Sequence, residues 1–169
     1  EATTTQDIDL LMDTQKHLLL ASTLEGQNES LLSTLQRVDA TFDLRDDQLY
    51  TAVNASGFEV DVIRRVAKDR DPHPLQVTSA ESDFWVVQVG NGAQMASAAR
   101  FSQMVVSASG RMALMSTLHP MTFSRLKQAL ANSPTRDPLK KTRDALQAQA
   151  VVQLIEEMLP HRKRPGEAS

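Results

Sequence analysis

Apolar and polar residues alternate at the start of the chain. In Asp7-Ile8-Asp9-Leu10-Leu11-Met12, extended geometry puts Ile8, Leu10 and Met12 on one face and Asp7 and Asp9 on the other. This predicts a strand whose two carboxylates point the same way. Residues 14–21 and 28–38 follow a helical period instead, with Leu31, Leu32, Leu35 and Val38 recurring on one side and Asn28 placed as the cap. Alternation returns at 50–54 and 58–63, and the small residues Ala55-Ser56-Gly57 between these runs predict a hairpin. In its second strand Phe58, Val60 and Val62 make an apolar face, and Glu59 and Asp61 lie on the other.

The segment Lys68-Asp69-Arg70-Asp71-Pro72-His73-Pro74 is polar and rich in proline, which predicts a loop or subdomain boundary. Short strands are expected within 84–90 and 104–115, the latter turning at Ser107-Ala108-Ser109-Gly110, whereas 95–99 fits helix or loop equally. Behind His119, Pro120 can open a helix carrying Phe123, Leu126, Lys127 and Leu130 and ending near Asn132-Ser133-Pro134. Asp137 then caps a second helix with Pro138 in its first turn; its expected buried stripe is Leu139, Leu146, Val152, Ile155 and Leu159, stopped by Pro160. These elements predict an α+β chain, a mixed β-sheet flanked by helices with a C-terminal helical portion. The expected organisation is a core over 1–66, a strand-containing extension or small subdomain over 67–118, helices over 119–160 and a disordered tail over 161–169.

Composition narrows this picture. With 169 residues, 41% of them hydrophobic and 23% charged, the chain has the scale of one compact domain with a helical appendage. The absence of cysteine excludes disulfides and thiolate metal sites. A net charge of -3 lacks the basic excess of a protein whose main task is gripping nucleic acid phosphates, although a nucleic acid could still be a substrate. The apolar run Leu18-Leu19-Leu20-Ala21 falls far short of the roughly 20 residues of a membrane span, so a soluble, cytoplasmic chain with no membrane partner is expected. Opening at Glu1 without methionine, the chain reads as part of something longer.

The chemistry on offer is a set of carboxylates. Asp7 and Asp9 at i and i+2, joined by Asp61 from a neighbouring strand, would bring three oxygen donors to one sheet face. Hard divalent cations prefer such donors, and a pair of them about 3.5–4 Å apart can polarise both the attacking and the leaving oxygen of a phosphoryl displacement. An isolated pair of strand aspartates has a plainer use, discouraging edge-to-edge aggregation; Asp61 in its matching pattern is what raises the pair above that. Lys127 sits one residue off the apolar stripe of its helix and can equally be a surface lysine. Lys140 and Asp144 can satisfy each other as an i, i+4 pair. His17, His73, His119 and His161 are too scattered for a ligand set, Phe84 and Trp85 suit a core or its rim, and Met95, Met104, Met112, Met115 and Met121 suit core filling.

Three segments together resemble a known family: Thr5-Gln6-Asp7-Ile8-Asp9-Leu10-Leu11, residues Ala52 to Arg64 with Val60-Asp61-Val62 at their centre, and Arg136-Asp137-Pro138-Leu139-Lys140-Lys141-Thr142-Arg143-Asp144. In this order they are similar to the DNA polymerase beta-type nucleotidyltransferase superfamily, and within it to a bacterial branch of nucleotidyltransferase-fold proteins. The resemblance implies a nucleotidyltransferase-type sheet and transfer of a nucleoside monophosphate from a nucleoside triphosphate to an acceptor hydroxyl. It implies two Mg2+ ions, replaceable by Mn2+, both held by Asp7 and Asp9. Asp61 would bind the catalytic one and help activate the hydroxyl. Lys127, Lys140 and Arg143 are the expected nucleotide contacts. Relatives modify RNA, proteins or small molecules, and some are toxins that act beside a partner protein. The superfamily also carries a Gly-Ser pair upstream of the first aspartates, and this chain begins six residues before Asp7. The competing expectation is therefore a module of the same fold that binds a nucleotide or a partner without catalysis.

Overall fold

A short turn brings residues 48–53 back along 59–65 and sets the first sheet. Gly57, at φ +77°, supplies the left-handed residue of that turn. The Asn54 side-chain oxygen accepts hydrogen bonds from the backbone N–H groups of Ser56 (3.0 Å) and Phe58 (2.9 Å). The structure is a computed structural model and describes residues 6–12, 29–107 and 109–159. The helix expected over 14–21, the Asn28 cap and the C-terminal tail lie outside the described residues. The chain divides into two compact units, 1–96 and 97–169, so that 67–96 belong with the first and 97–118 with the second.

The first unit contains β1 (Asp7–Met12), α1 (Leu31–Val38), β2 (Asp43–Arg45), β3 (Gln48–Val53), β4 (Glu59–Arg65), β5 (Val87–Val89) and all but the last residue of α2 (Gly92–Ser97). Its sheet runs β1-β4-β3-β2, with β5 also on β4. β1 lies parallel to β4 along residues 59–64, β3 antiparallel along 59–61 and β5 parallel along 63–65. Because β1 occupies one edge of β4 throughout, β3 and β5 share the other, end to end. Parallel and antiparallel pairs thus coexist in a mixed α+β architecture, as the patterning predicted.

Alternation decides which face is dry. Ala52, Val60 and Val62 pack with Leu32 of α1 and with Phe42, Phe84 and Val86 in a single core cluster. Helix α1 begins at Leu31 with Ser30 as its cap, the Ser30 hydroxyl oxygen accepting from the Ser33 N–H at 2.9 Å. A second anchor comes from far along the chain: buried Asp83 accepts from the Leu32 N–H (3.2 Å) through Oδ1 and from the Thr78 hydroxyl (2.7 Å) through Oδ2. A carboxylate at a helix N-terminus satisfies an orphan donor and the positive end of the dipole. Asp83→Ala is expected to cost about 1–3 kcal/mol by stranding that donor, read as a lowered denaturation midpoint.

The polar loop after β4 is tied down. Arg65 donates from Nη1 to Asp71 (2.6 Å), and the Lys68 N–H donates to the same carboxylate (2.7 Å). The Arg65 guanidinium, with the Lys68 N–H, holds the Asp71 carboxyl below its ordinary value. Gly92 is required by proximity, since a Cβ there would lie 2.5 Å from the Arg65 Cα. Of residues 95–99, open between helix and loop on sequence, 95–97 are helical, as the end of a helix that starts at this close approach.

In the second unit, β6 (Arg100–Val106) and β7 (Met112–Leu118) form an antiparallel hairpin, followed by α3 (Pro120–Asn132) and α4 (Pro138–Met158). Both helices start as predicted. The His119 ring accepts from the Met121 N–H (3.3 Å), the Asp137 carboxylate accepts from the Leu139 N–H (2.8 Å), and a proline opens each first turn. Two expectations are corrected. Met104, Met112 and Met115 are exposed on the hairpin and fill no core. On α4, Ile155 is buried, but Leu139 is 85% and Leu146 61% exposed. The helix is phased by Asp144 and Ala148, which face α3; the Ser124 hydroxyl donates to the Ala148 carbonyl at 3.0 Å, and only a small residue lets the backbones come that close. No helix among the described residues is long and apolar enough to cross a membrane.

Candidate functional site

The parallel pairing of β1 with β4 sets Asp9 opposite Asp61 and Asp7 opposite Glu59. Registered residues of adjacent strands point to the same side, and the strands lie about 4.8 Å apart; Asp7 stands two residues, or about 6.7 Å, along from Asp9. Asp7, Asp9 and Asp61 therefore share one sheet face, opposite the face that carries Val60 and Val62. A slip of one residue in this register would turn β1's acids toward the core, a strong constraint on the alignment.

On the other edge of β4, Thr51 of β3 is paired with Asp61. Its hydroxyl donates to Asp61 Oδ1 at 2.5 Å, and Thr51 itself is only 2% exposed. This short, charge-assisted bond fixes the orientation of the carboxylate and leaves Oδ2 uncommitted among the described residues. Glu59, on the same face, is engaged by Arg45 in an ion pair. Asp61 is half-buried, whereas Asp7 and Asp9 are exposed. Sequence patterning missed Thr51, although a hairpin register centred on Ser56 places 51 opposite 61.

Among the described residues no group of three or more histidine and acidic side chains is gathered tightly enough to hold a metal ion. What the strands do set is the donor chemistry. Every candidate ligand on this face is a carboxylate oxygen, and the concentration of negative charge there suits a hard divalent cation and not a soft one. On the opposite face, at the end of β4, Arg64 is fully buried with Nη2 3.1 Å from the His73 ring.

The three cations singled out from sequence lie in the second unit. Lys127 is occupied: its ammonium is 3.0 Å from Asp144 Oδ1 and 5.5 Å from the centre of the Phe123 ring. Arg136 closes on Asp144 Oδ2 at 2.9 Å, so one fully buried carboxylate joins α3, the inter-helix turn and α4. Burial pushes the Asp144 carboxyl up, but the hydrogen bonds from Arg136 and Lys127 outweigh it and hold the group below its ordinary value. The i, i+4 pair expected between Lys140 and Asp144 does not form, because Asp144 faces α3. Lys140 and Arg143 are exposed and carry no ion pair among the described residues. The conspicuous Arg136–Asp144 segment thus contributes a structural clamp at its two ends.

His17 and His161 lie outside the described residues. Phe84 is fully buried and Trp85 half-buried, His119 caps α3, and His73 is exposed beside Arg64 and Gln88. A family model described as nucleotidyltransferase matches residues 1–165. No curated protein and no solved structure matches the chain.

Proposed function

Since the chain belongs to the nucleotidyltransferase family, we propose that it moves a nucleoside monophosphate from a nucleoside triphosphate to an acceptor hydroxyl on the carboxylate face of its first unit. The observation that carries this is the in-register pairing of Asp9 with Asp61, with Asp7 one pleat away on the same side. The acceptor oxygen bonds to the α-phosphorus, the bond to the bridging oxygen breaks, and pyrophosphate leaves. Asp7, Asp9 and Asp61 would hold Mg2+, which supplies charge neutralisation for the triphosphate. Asp61 takes the hydroxyl proton on the oxygen that Thr51 leaves open. The acceptor is a hydroxyl of RNA, a protein or a small molecule.

Thr51 is a positioning residue. Thr51→Val, similar in shape but without the hydroxyl, is expected to lower kcat about tenfold, the equivalent of one hydrogen bond to a charged group at about 1.4 kcal/mol. KM should hold, and Thr51→Ser should restore the rate.

The direct test is calorimetric titration with each nucleoside triphosphate and Mg2+, repeated on Asp61→Asn. Binding that needs the cation and is weakened by the substitution supports the proposal. No binding, or binding indifferent to both, overturns it and leaves a module without chemistry.

A further inference from the structure

Helix α4 carries more apolar surface than its own unit uses. Leu146, Ala150 and Leu154 occupy successive i+4 positions and form one ridge on the side away from Asp144, Ala148 and Ile155, and Met158 continues the row round toward the Ile155 side. Leu146 is 61%, Leu154 56% and Met158 69% exposed, and Leu139, two turns before Leu146 and on the same side, is 85% exposed. Isolated exposed leucines are ordinary; a continuous ridge along a 21-residue helix marks a contact surface.

We propose that this ridge binds a second copy of the chain, with the two α4 helices antiparallel across a two-fold axis at Ala150. The pattern is symmetric about that small residue. Leu146 and Leu154 lie four positions to either side of it and Arg143 and Glu157 seven positions, so an antiparallel copy sets leucine level with leucine and arginine level with glutamate. Charge selects this direction. The first half of α4 presents Lys140, Lys141 and Arg143, its one acid, Asp144, being consumed by Lys127 and Arg136; the last turns present Glu156 and Glu157. A parallel copy would stack Arg143 on Arg143, whereas the antiparallel one offers it Glu157. Among the described residues Glu157 is otherwise held only by Gln153 of its own helix, at 2.9 Å. Ala150 at the crossing lets the backbones approach, and a self-complementary patch of this kind closes as a dimer and does not propagate. Arg143 is thereby assigned to the second copy and not to the nucleotide.

Sedimentation velocity over a range of protein concentrations tests this. The wild-type chain should pass from monomer to dimer as concentration rises. Leu154→Glu should remain monomeric at every concentration with an unchanged far-ultraviolet circular dichroism spectrum. Arg143→Glu and Glu157→Arg should each weaken the dissociation constant about tenfold, because every altered contact occurs twice. The double reversal R143E/E157R should restore it. A wild-type chain that stays monomeric overturns the proposal, as does a dimer insensitive to Leu154→Glu. A double reversal that fails to rescue overturns the antiparallel pairing, and it does so even if Leu154→Glu fails to fold.

Discussion

Asp61→Asn is expected to reduce nucleotidyl transfer by about a thousandfold or more, a loss of about 4 kcal/mol of transition-state stabilisation, while the protein keeps its fold. The substitution changes one atom pair and no volume, and the new amide oxygen can still accept from the Thr51 hydroxyl. What disappears is the negative charge and the proton-accepting oxygen at the centre of the carboxylate face. Removing one of several like charges from that face relieves repulsion, so the thermal midpoint should hold or rise slightly. The measurement is single-turnover pyrophosphate release, with a thermal melt on the same preparation. An activity within tenfold of wild type would remove Asp61 from the chemistry.

Asp144→Ala is expected to destabilise the helical unit by about 3–5 kcal/mol, because Lys127 and Arg136 would both lose the buried counter-charge that α3 and α4 close upon. Denaturant unfolding followed at the helical circular dichroism band reads this directly. Replacing the three charged groups together with apolar residues of similar volume should recover much of the loss, which separates the stranded cations from the pair itself. The same carboxylate gives the unit an acid limit. Its folded-state pKa lies below the ordinary carboxylate value, so the associated stability is fully present above that value and is lost as pH falls through the folded pKa. Stability should therefore be flat near neutrality and fall below about pH 4, and an Asp144→Asn protein should start lower and lack that acid-dependent loss.

Both units show where local pattern succeeds and where it fails. The strands carrying Asp7, Asp9 and Asp61, the Gly57 hairpin and the capped starts of α3 and α4 were all legible, since each depends on residues close together in the chain. The phase of α4 was not. Leu139 and Leu146 fit a helical stripe as well as Ala148 and Ile155 do, and apolar spacing alone cannot say which side meets α3. Likewise Lys140 sits at an ideal i, i+4 distance from Asp144, yet the carboxylate goes to Lys127 and Arg136, where the low-dielectric contact between helices is stronger than a solvated surface pair.

The sequence by itself determined which residues share a face. Alternation places Asp7 with Asp9 and Glu59 with Asp61 whatever the strands pair with, and proline with a capping side chain opens each C-terminal helix. Only the tertiary structure decided that β1 lies parallel to β4 with Asp9 beside Asp61, that Thr51 orients Asp61, that Asp83 anchors α1 and that α4 leaves a leucine ridge in solvent. Each of these depends on which distant segment supplies the partner, and that choice is made by burying the common core, whose geometry no local period records.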